Sequence, residues 1–305
     1  MNDWSRYYQN CSFMNATRLM CLNNDTIELI KKWTHLRNRI KILDVGCGNG
    51  LFTKIIADEV EDCEIIGIDL DNKFITEAKK TVKDDNRSNK ISFICDSGYK
   101  IPFDDNTFDL VISHTYLTSV DDPIKALSEK KRVAKKGGMV ASITTQSFSY
   151  VPMHEGYYTD DYYSILNRKE KLGGKVSQMY AALCPNNAFI NDVAASCIPH
   201  LYGISGLRNI EMHALGVGFS LSDASLSMET KRKFIEYYYN SEIEKLGEYL
   251  LLEGSNEYLN DREAEEYISI ICQQKSYLSE RVGENVCWEW VGGASLCMVA
   301  LKPSY

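Results

Sequence analysis

The sequence has no run of roughly 18 consecutive apolar residues, which argues against a membrane-spanning helix by length alone. Its first residues, Met1-Asn2-Asp3-Trp4-Ser5-Arg6, lack the charged-then-apolar pattern of a secretory signal, so a soluble cytoplasmic protein is expected. Positive charge is also in short supply: 42 acidic residues face 34 basic ones, for a net charge of −8. Nucleic-acid binding normally needs a basic stripe to replace phosphate counterions. Only short clusters occur, Lys130-Lys131-Arg132 and Lys135-Lys136, and they read as one solvated helix face. No nucleic acid and no membrane are therefore expected as partners. The ten cysteines include no Cys-x-x-Cys pair, and the five histidines are scattered. A metal site needs clustered ligands, so none is expected. Cys63, Cys95 and Cys297 lie in or beside apolar runs, where a thiol behaves as a small buried hydrophobe. Internal repeats and low-complexity linkers are absent as well.

What is present changes character near residue 145. Before it, short apolar runs alternate with helical patterns, as in βαβ units. Strands are expected at Lys41–Val45, Glu64–Ile68, Ile91–Ile94, Asp109–Ile112 and Met139–Ile143. Leu51, Phe52, Ile55, Ile56 and Ala57 share one helical stripe, and Phe74, Ile75, Ala78 and Val82 mark the next helix. Pro123–Val133 reads as a third. Beyond 145 the chain is helical and holds fifteen of the nineteen tyrosines. Asp261 reads as the N-cap of a helix with Ala264, Tyr267, Ile268, Ile271, Lys275 and Leu278 on one face. Two late strand-like stretches, Leu207–Leu215 and Leu296–Leu301, are expected to rejoin the main sheet. The expected layout is an N-terminal helical segment over the site (1–37), a core (38–145), cap insertions (146–205 and 220–285) and returning strands (206–219 and 286–305).

The most informative stretch is Asp44-Val45-Gly46-Cys47-Gly48-Asn49-Gly50, between a strand and a helix. Glycines there let the backbone turn sharply and approach a ligand where a β-carbon would collide. A glycine-rich loop alone is weak, since many nucleotide folds have one and it could simply make a tight turn. Two details narrow it. The spacing is Gly-x-Gly-x-Gly rather than the dinucleotide Gly-x-Gly-x-x-Gly, and Asp44 would repel a pyrophosphate. Asp69 ends the second strand, nineteen residues after Gly50, where a carboxylate can accept from both ribose hydroxyls. Asp96 ends the third strand, in reach of an adenine amino group.

Residues 40–143 resemble the core of the class I S-adenosylmethionine-dependent methyltransferases. Ile42–Gly50 is similar to that family's cofactor loop, Asp69 to its ribose acid and Asp96 to its adenine-contacting acid. Phe108-Asp109-Leu110-Val111 matches the fourth strand, and Lys135-Lys136-Gly137-Gly138 the turn before the fifth. The resemblance implies an α/β fold: a Rossmann-like, seven-stranded, mostly parallel sheet with an antiparallel last strand, helices on both faces and a helical cap. It implies S-adenosyl-L-methionine as cofactor and S-adenosyl-L-homocysteine as product. The implied donor contacts are Asp44, Gly46, Cys47, Gly48, Asn49, Gly50, Asp69, Leu70, Asp96, Ser97 and His114, joined by Tyr8 and Arg18 of the N-terminal segment. Arg18 could pair the methionine carboxylate, or lie exposed at the surface. Cys47 is taken as small and structural.

Methyl transfer from a sulfonium is a direct displacement, so the protein mainly aligns three atoms and excludes water. A base matters only for an acceptor that arrives protonated. His114 and Tyr116, in Ser113–Val120, are the candidate catalytic residues, and His114 should titrate near neutrality unless it is purely structural. Related small-molecule enzymes often carry histidines where this chain has Thr118 and Ser119. The Asn-Pro-Pro-Tyr-type motif of amide and base-nitrogen methylation is absent. Tyr157 and Tyr158 are the candidate substrate contacts of the cap, which could equally be ordinary helix packing. The expected function is therefore methylation of a small-molecule acceptor by a monomer or homodimer. Two rivals remain at this point: a non-catalytic donor-binding sensor and a nucleotide-dependent oxidoreductase.

Overall fold

The apolar runs form seven strands in one sheet: β1 (Ile40–Val45), β2 (Cys63–Asp69), β3 (Ile91–Cys95), β4 (Phe108–Ile112), β5 (Ala134–Val151), β6 (Arg208–Ser220) and β7 (Trp290–Leu301). This computed structural model describes residues 5, 9–83, 90–151, 159–184, 192–284 and 290–304, excepting the side chains of 145–151, 192–196 and 290. The strand order is β3-β2-β1-β4-β5-β7-β6. Strands β1 to β5 pair in parallel, and β7 runs antiparallel between β5 and β6. The core strands are apolar on both faces because helices cover both. Ile40 and Ile42 of β1 enter one hydrophobic cluster, and Leu43 and Val45 enter the other.

Helices α1 (Cys11–Cys21), α2 (Asn24–Trp33), α3 (Leu51–Asp58) and α4 (Asn72–Lys83) precede α5 (Pro123–Val133), α6 (Asp160–Leu183), α7 (Asp192–Ile204), α8 (Met228–Leu250) and α9 (Asp261–Arg281). Ile30, Ile56 and Ile75 place α2, α3 and α4 on the first face of the sheet. Leu127 and Tyr202 place α5 and α7 on the second. Helix α7 falls inside the first expected insertion, yet it covers the sheet: Ile198, Leu201 and Tyr202 pack with Leu127 and Val140. The helices that pack on one another away from the sheet are α6, α8 and α9, with α1 lying along α8.

Several expectations need correction. The late strands are longer than the sequence suggested, because Gly216, Gly218, Gly292 and Gly293 sit in their paired ends. Glycine is depleted in strands, so those ends read as loops. The N-cap of α9 is Asn260 rather than Asp261: its side chain accepts from Glu263 N at 3.0 Å, and Glu263 Oε2 accepts from Asn260 N at 3.2 Å. Cys95 is exposed, unlike Cys63 and Cys297. The Lys130-Lys131-Arg132 run is not a solvated face. Lys130 shares the inward stripe of Ala126, Leu127 and Val133 and is fully buried. Its Nζ donates to Ser113 Oγ at 2.6 Å, to Ala141 O at 2.7 Å and to Ser142 Oγ at 2.7 Å. Arg132 is tied to Glu129 and Asp105 and to the carbonyls of Ile101 and Phe103.

Candidate functional site

The chain reverses its direction of sheet growth between β1 and β4, and open α/β sheets bind ligands at the carboxyl ends of strands flanking such a switch point. A cleft of 120 Å³ lies there, lined by Gly46, Gly48, Asp69, Leu70, Ser97 and His114, with Arg18 and Tyr116 completing it. The turn out of β1 needs glycine: Gly46, Gly48 and Gly50 have φ of 75°, 55° and 77°. A β-carbon on Gly46 would fall 2.6 Å from Tyr116 Cδ2, and one on Gly48 would collide with Met14 Cε.

Asp69 is oriented by two backbone donors. Gly48 N donates to its Oδ2 at 2.9 Å and Asp71 N to its Oδ1 at 2.9 Å. Burial outweighs those bonds and pushes its pKa up to about 6. Lone pairs remain on both oxygens at the cleft lining. Asp96 is turned differently: its Oδ1 accepts from Ser97 N at 2.6 Å, and Ser97, Gly98 and Tyr99 line the cleft in its place.

Asp44 and Asn49 lie behind the cleft rather than in it. Asp44 is buried, its Oδ2 accepts from Thr53 Oγ1 at 2.6 Å, and burial raises its pKa to about 6. Its Oδ1 has no hydrogen-bond partner. Asn49 ties the loop to α1 by donating to Asn15 Oδ1 at 2.8 Å. Cys47 is buried against Gly67, and burial lifts its thiol well above the ordinary range, which makes it inert. Gly50 is the N-cap of α3.

Arg18 is buried rather than surface-exposed. Its guanidinium donates to Thr17 Oγ1 at 3.1 Å and to Thr115 Oγ1 at 3.5 Å. No carboxylate among the described residues pairs with it in a salt bridge. A five-donor cation so thinly satisfied beside a cleft is a site for an anion. His114 is buried too, with its ring centroid 5.2 Å from that of Phe52, and its Nδ1 lacks a partner. Burial first, and then the Arg18 charge, hold its pKa well below the usual imidazole value. The expected titration near neutrality is therefore corrected: His114 is a neutral imidazole at pH 7. Tyr116 packs on Gly46 and Gly98, and burial raises its phenol well above its ordinary pKa. It is a neutral hydroxyl, not a base.

The loop after β4 is unusually fixed. Thr115 sits at φ 58°, a left-handed conformation that is strained for a β-branched residue. Thr118 Oγ1 and Ser119 Oγ both donate to Thr115 O, at 3.1 and 2.7 Å. The two hydroxyls standing where related enzymes often carry histidine thus staple this turn.

Tyr8, Tyr157 and Tyr158 lie outside the described residues. The sequence reading missed Met14, Gly98 and Tyr99. Met14 could have been found from helical spacing, since it stands one turn before Arg18 on the same face of α1.

The neighbouring face of α1, where Thr17 adjoins Arg18, borders a second cavity, a chamber of 460 Å³ lined also by α6, α8, α9, β7 and the end of β6. Phe13, Met20, Phe219, Phe234, Tyr238 and Leu278 supply much of its surface. A third cavity, of 780 Å³, lies on the other side of Phe13 and Tyr238, among α1, α4, α6 and α8, and includes Glu242, Glu244 and Lys245 in its lining.

The cleft fits a donor that is both zwitterionic and a nucleoside: it offers an acid at the end of β2, a thinly paired guanidinium and the unpartnered Nδ1 of His114. Residues 43–142 match a family model described as a methyltransferase domain. An uncharacterized methyltransferase of Schizosaccharomyces pombe is 38% identical over 111 residues, covering 35% of this chain and 40% of that protein. The demethylmenaquinone methyltransferase of Bacillus pumilus is 29% identical over 69% of this chain and 88% of its own length. The fold is also that of Haemonchus contortus phosphoethanolamine N-methyltransferase 2 in complex with S-adenosyl-L-methionine, with a TM-score of 0.52, 17% identity and coverage of 98% of this chain and 59% of that one.

Proposed function

We propose that the chain, which belongs to the class I S-adenosylmethionine-dependent methyltransferases, transfers the donor methyl group to a small molecule held in the chamber beneath the cap. The observation that carries the reading is the pairing of Asp69 and the thinly paired Arg18 across one cleft. Asp69 accepts from the ribose hydroxyls, and Arg18 clasps the methionine carboxylate. Ser97, Gly98 and Tyr99 flank the adenine, with Asp96 orienting Ser97.

S-adenosylmethionine supplies a methyl group already activated on a sulfonium. With the donor bound, the site would need only to align the acceptor's lone pair with that methyl carbon and keep water out. The neutral Nδ1 of His114 accepts a hydrogen bond from the acceptor, whose proton passes to water. Tyr116 holds the glycine loop in register and excludes water. At 120 Å³ the cleft is below the roughly 300 Å³ typical of small-molecule sites, so Met14 withdraws from Gly48 when the donor enters. The net charge of −8 favours a small acceptor over nucleic acid, as does the name of the Bacillus pumilus relative. No helix among the described residues is long and apolar enough to cross a membrane. Cys11, Cys21, Cys47, Cys63, Cys95, Cys272 and Cys297 carry free thiols, which suits a reducing compartment.

The test is a thermal melt with S-adenosylmethionine, S-adenosylhomocysteine and NAD. At a hundredfold excess over its dissociation constant a native-state ligand adds about 2.7 kcal/mol. Melts unmoved by either sulfur compound would overturn the reading. Labelled donor incubated with a metabolite extract then identifies what becomes methylated.

A further inference from the structure

We infer that the acceptor is an uncharged, largely apolar molecule, selected by the Lys169–Glu242 pair at the edge of the chamber, an inference that rests on the methyltransferase reading above. Among the described residues Lys169 is the only cation lining the chamber, and no carboxylate lines it. Its Nζ donates to Glu242 Oε2 at 2.7 Å and to Gln274 Oε1 at 3.1 Å, and it stands 5.6 Å from the centroid of the Tyr239 ring. Two of its three hydrogens are therefore engaged, and its charge rests over the Tyr239 ring. Gln274 is buried and spends its own donor on Tyr162 Oη at 3.0 Å. Glu242 approaches from the neighbouring 780 Å³ cavity, so it cancels the Lys169 charge without presenting its own to the chamber.

Each charged class of acceptor meets an obstacle here. An anion would have to displace Glu242 to gain a counter-charge. A cation would meet Lys169, and no carboxylate among the described residues of the lining faces it. Lys169 covers Tyr239, while Phe219 packs on Phe234 with centroids 4.3 Å apart and Phe234 stacks on Tyr238 at 5.6 Å. Either ion would lose its hydration without a partner in return. An uncharged apolar molecule loses little and gains the contact of Phe13, Leu221, Leu278 and Val291. The rings pack among themselves, which leaves a hydrophobic slot and not a cage for an ammonium group.

The test uses three probes of one size with the full chain and saturating S-adenosylhomocysteine at pH 7: naphthol, naphthoate and naphthylmethylammonium, followed by calorimetry. Naphthol should bind about tenfold or more tighter than either ion, the scale expected when an ion is buried without compensation. Glu242→Gln frees the Lys169 charge and should raise naphthoate affinity about tenfold while leaving naphthol little changed. Lys169→Met should give naphthoate no such gain. Equal binding of an ion and naphthol to the parent protein would overturn the inference, and so would an unchanged ratio in Glu242→Gln. Failure of all three probes to bind a protein that does bind S-adenosylhomocysteine would overturn it too, leaving the methyltransferase reading intact. Failure of S-adenosylhomocysteine itself to bind would remove both.

Discussion

Acidification should weaken the binding of S-adenosylhomocysteine through one side chain, Asp69. In the free protein two backbone N–H groups favour its ionised form, but desolvation prevails and its pKa rises to about 6. Ribose hydroxyls donate to a carboxylate, so the ligand binds the ionised form and must drive off any proton present. With a pKa near 6 the ionised fraction falls from about nine-tenths at pH 7 to about one-tenth at pH 5, which predicts a roughly tenfold loss of affinity, about 1.4 kcal/mol. The sign is fixed: affinity is full above the free-protein pKa and declines below it. Calorimetry at pH 5, 6 and 7, in buffers of differing ionisation enthalpy, should show about half a proton released per ligand at pH 6. Asp69→Asn should bind more weakly at pH 7 and show a flattened profile. Flat affinity in the parent protein would refute the reasoning. A full slope persisting in Asp69→Asn would move the effect to Asp44, whose pKa is also about 6.

Two further outcomes follow from the same structure. Met14→Ala should lower stability by about 2–5 kcal/mol, because a buried side chain is lost, yet raise S-adenosylhomocysteine affinity severalfold by clearing Gly48; a loss of affinity, measured by calorimetry, would show that Met14 supports the ligand instead of obstructing it. Lys130, held down to a pKa of about 7 by burial, binds its proton more weakly folded than unfolded, so stability should grow as pH rises from 7 towards 10, by up to about 1.4 kcal/mol per unit. Denaturant unfolding of Lys130→Met should lack that gain, and an identical slope in both proteins would assign it elsewhere.

How much was legible depended on how local the signal was. The strand–glycine loop–helix unit and the acid ending β2 are written in consecutive residues, and the sheet class followed from their order. Lys130 misled because three adjacent cations look solvated, while the helical stripe of Ala126, Leu127 and Val133 turns one of them inward. The protonation of His114 was illegible because its environment is assembled from Phe52 on α3 and Arg18 on α1, far apart in sequence. Asp96 stands where the strand pattern put it, but its rotamer is spent on Ser97 N, a choice that spacing does not encode. The chamber's neutrality arises from a pair between α6 and α8 completed by Gln274 of α9, and no single segment announces it.

Helix α1 presents Met14 and Arg18 to the donor cleft and Phe13, Ala16, Thr17 and Met20 to the acceptor chamber. Any shift of the α1 backbone made for one ligand also moves the lining of the other cavity. The two binding equilibria therefore share a free-energy term, and thermodynamic linkage makes that term symmetric: the factor by which donor changes acceptor affinity is the factor by which acceptor changes donor affinity. With the acceptor in the chamber as proposed, α1 would couple unlike ligands within a single subunit.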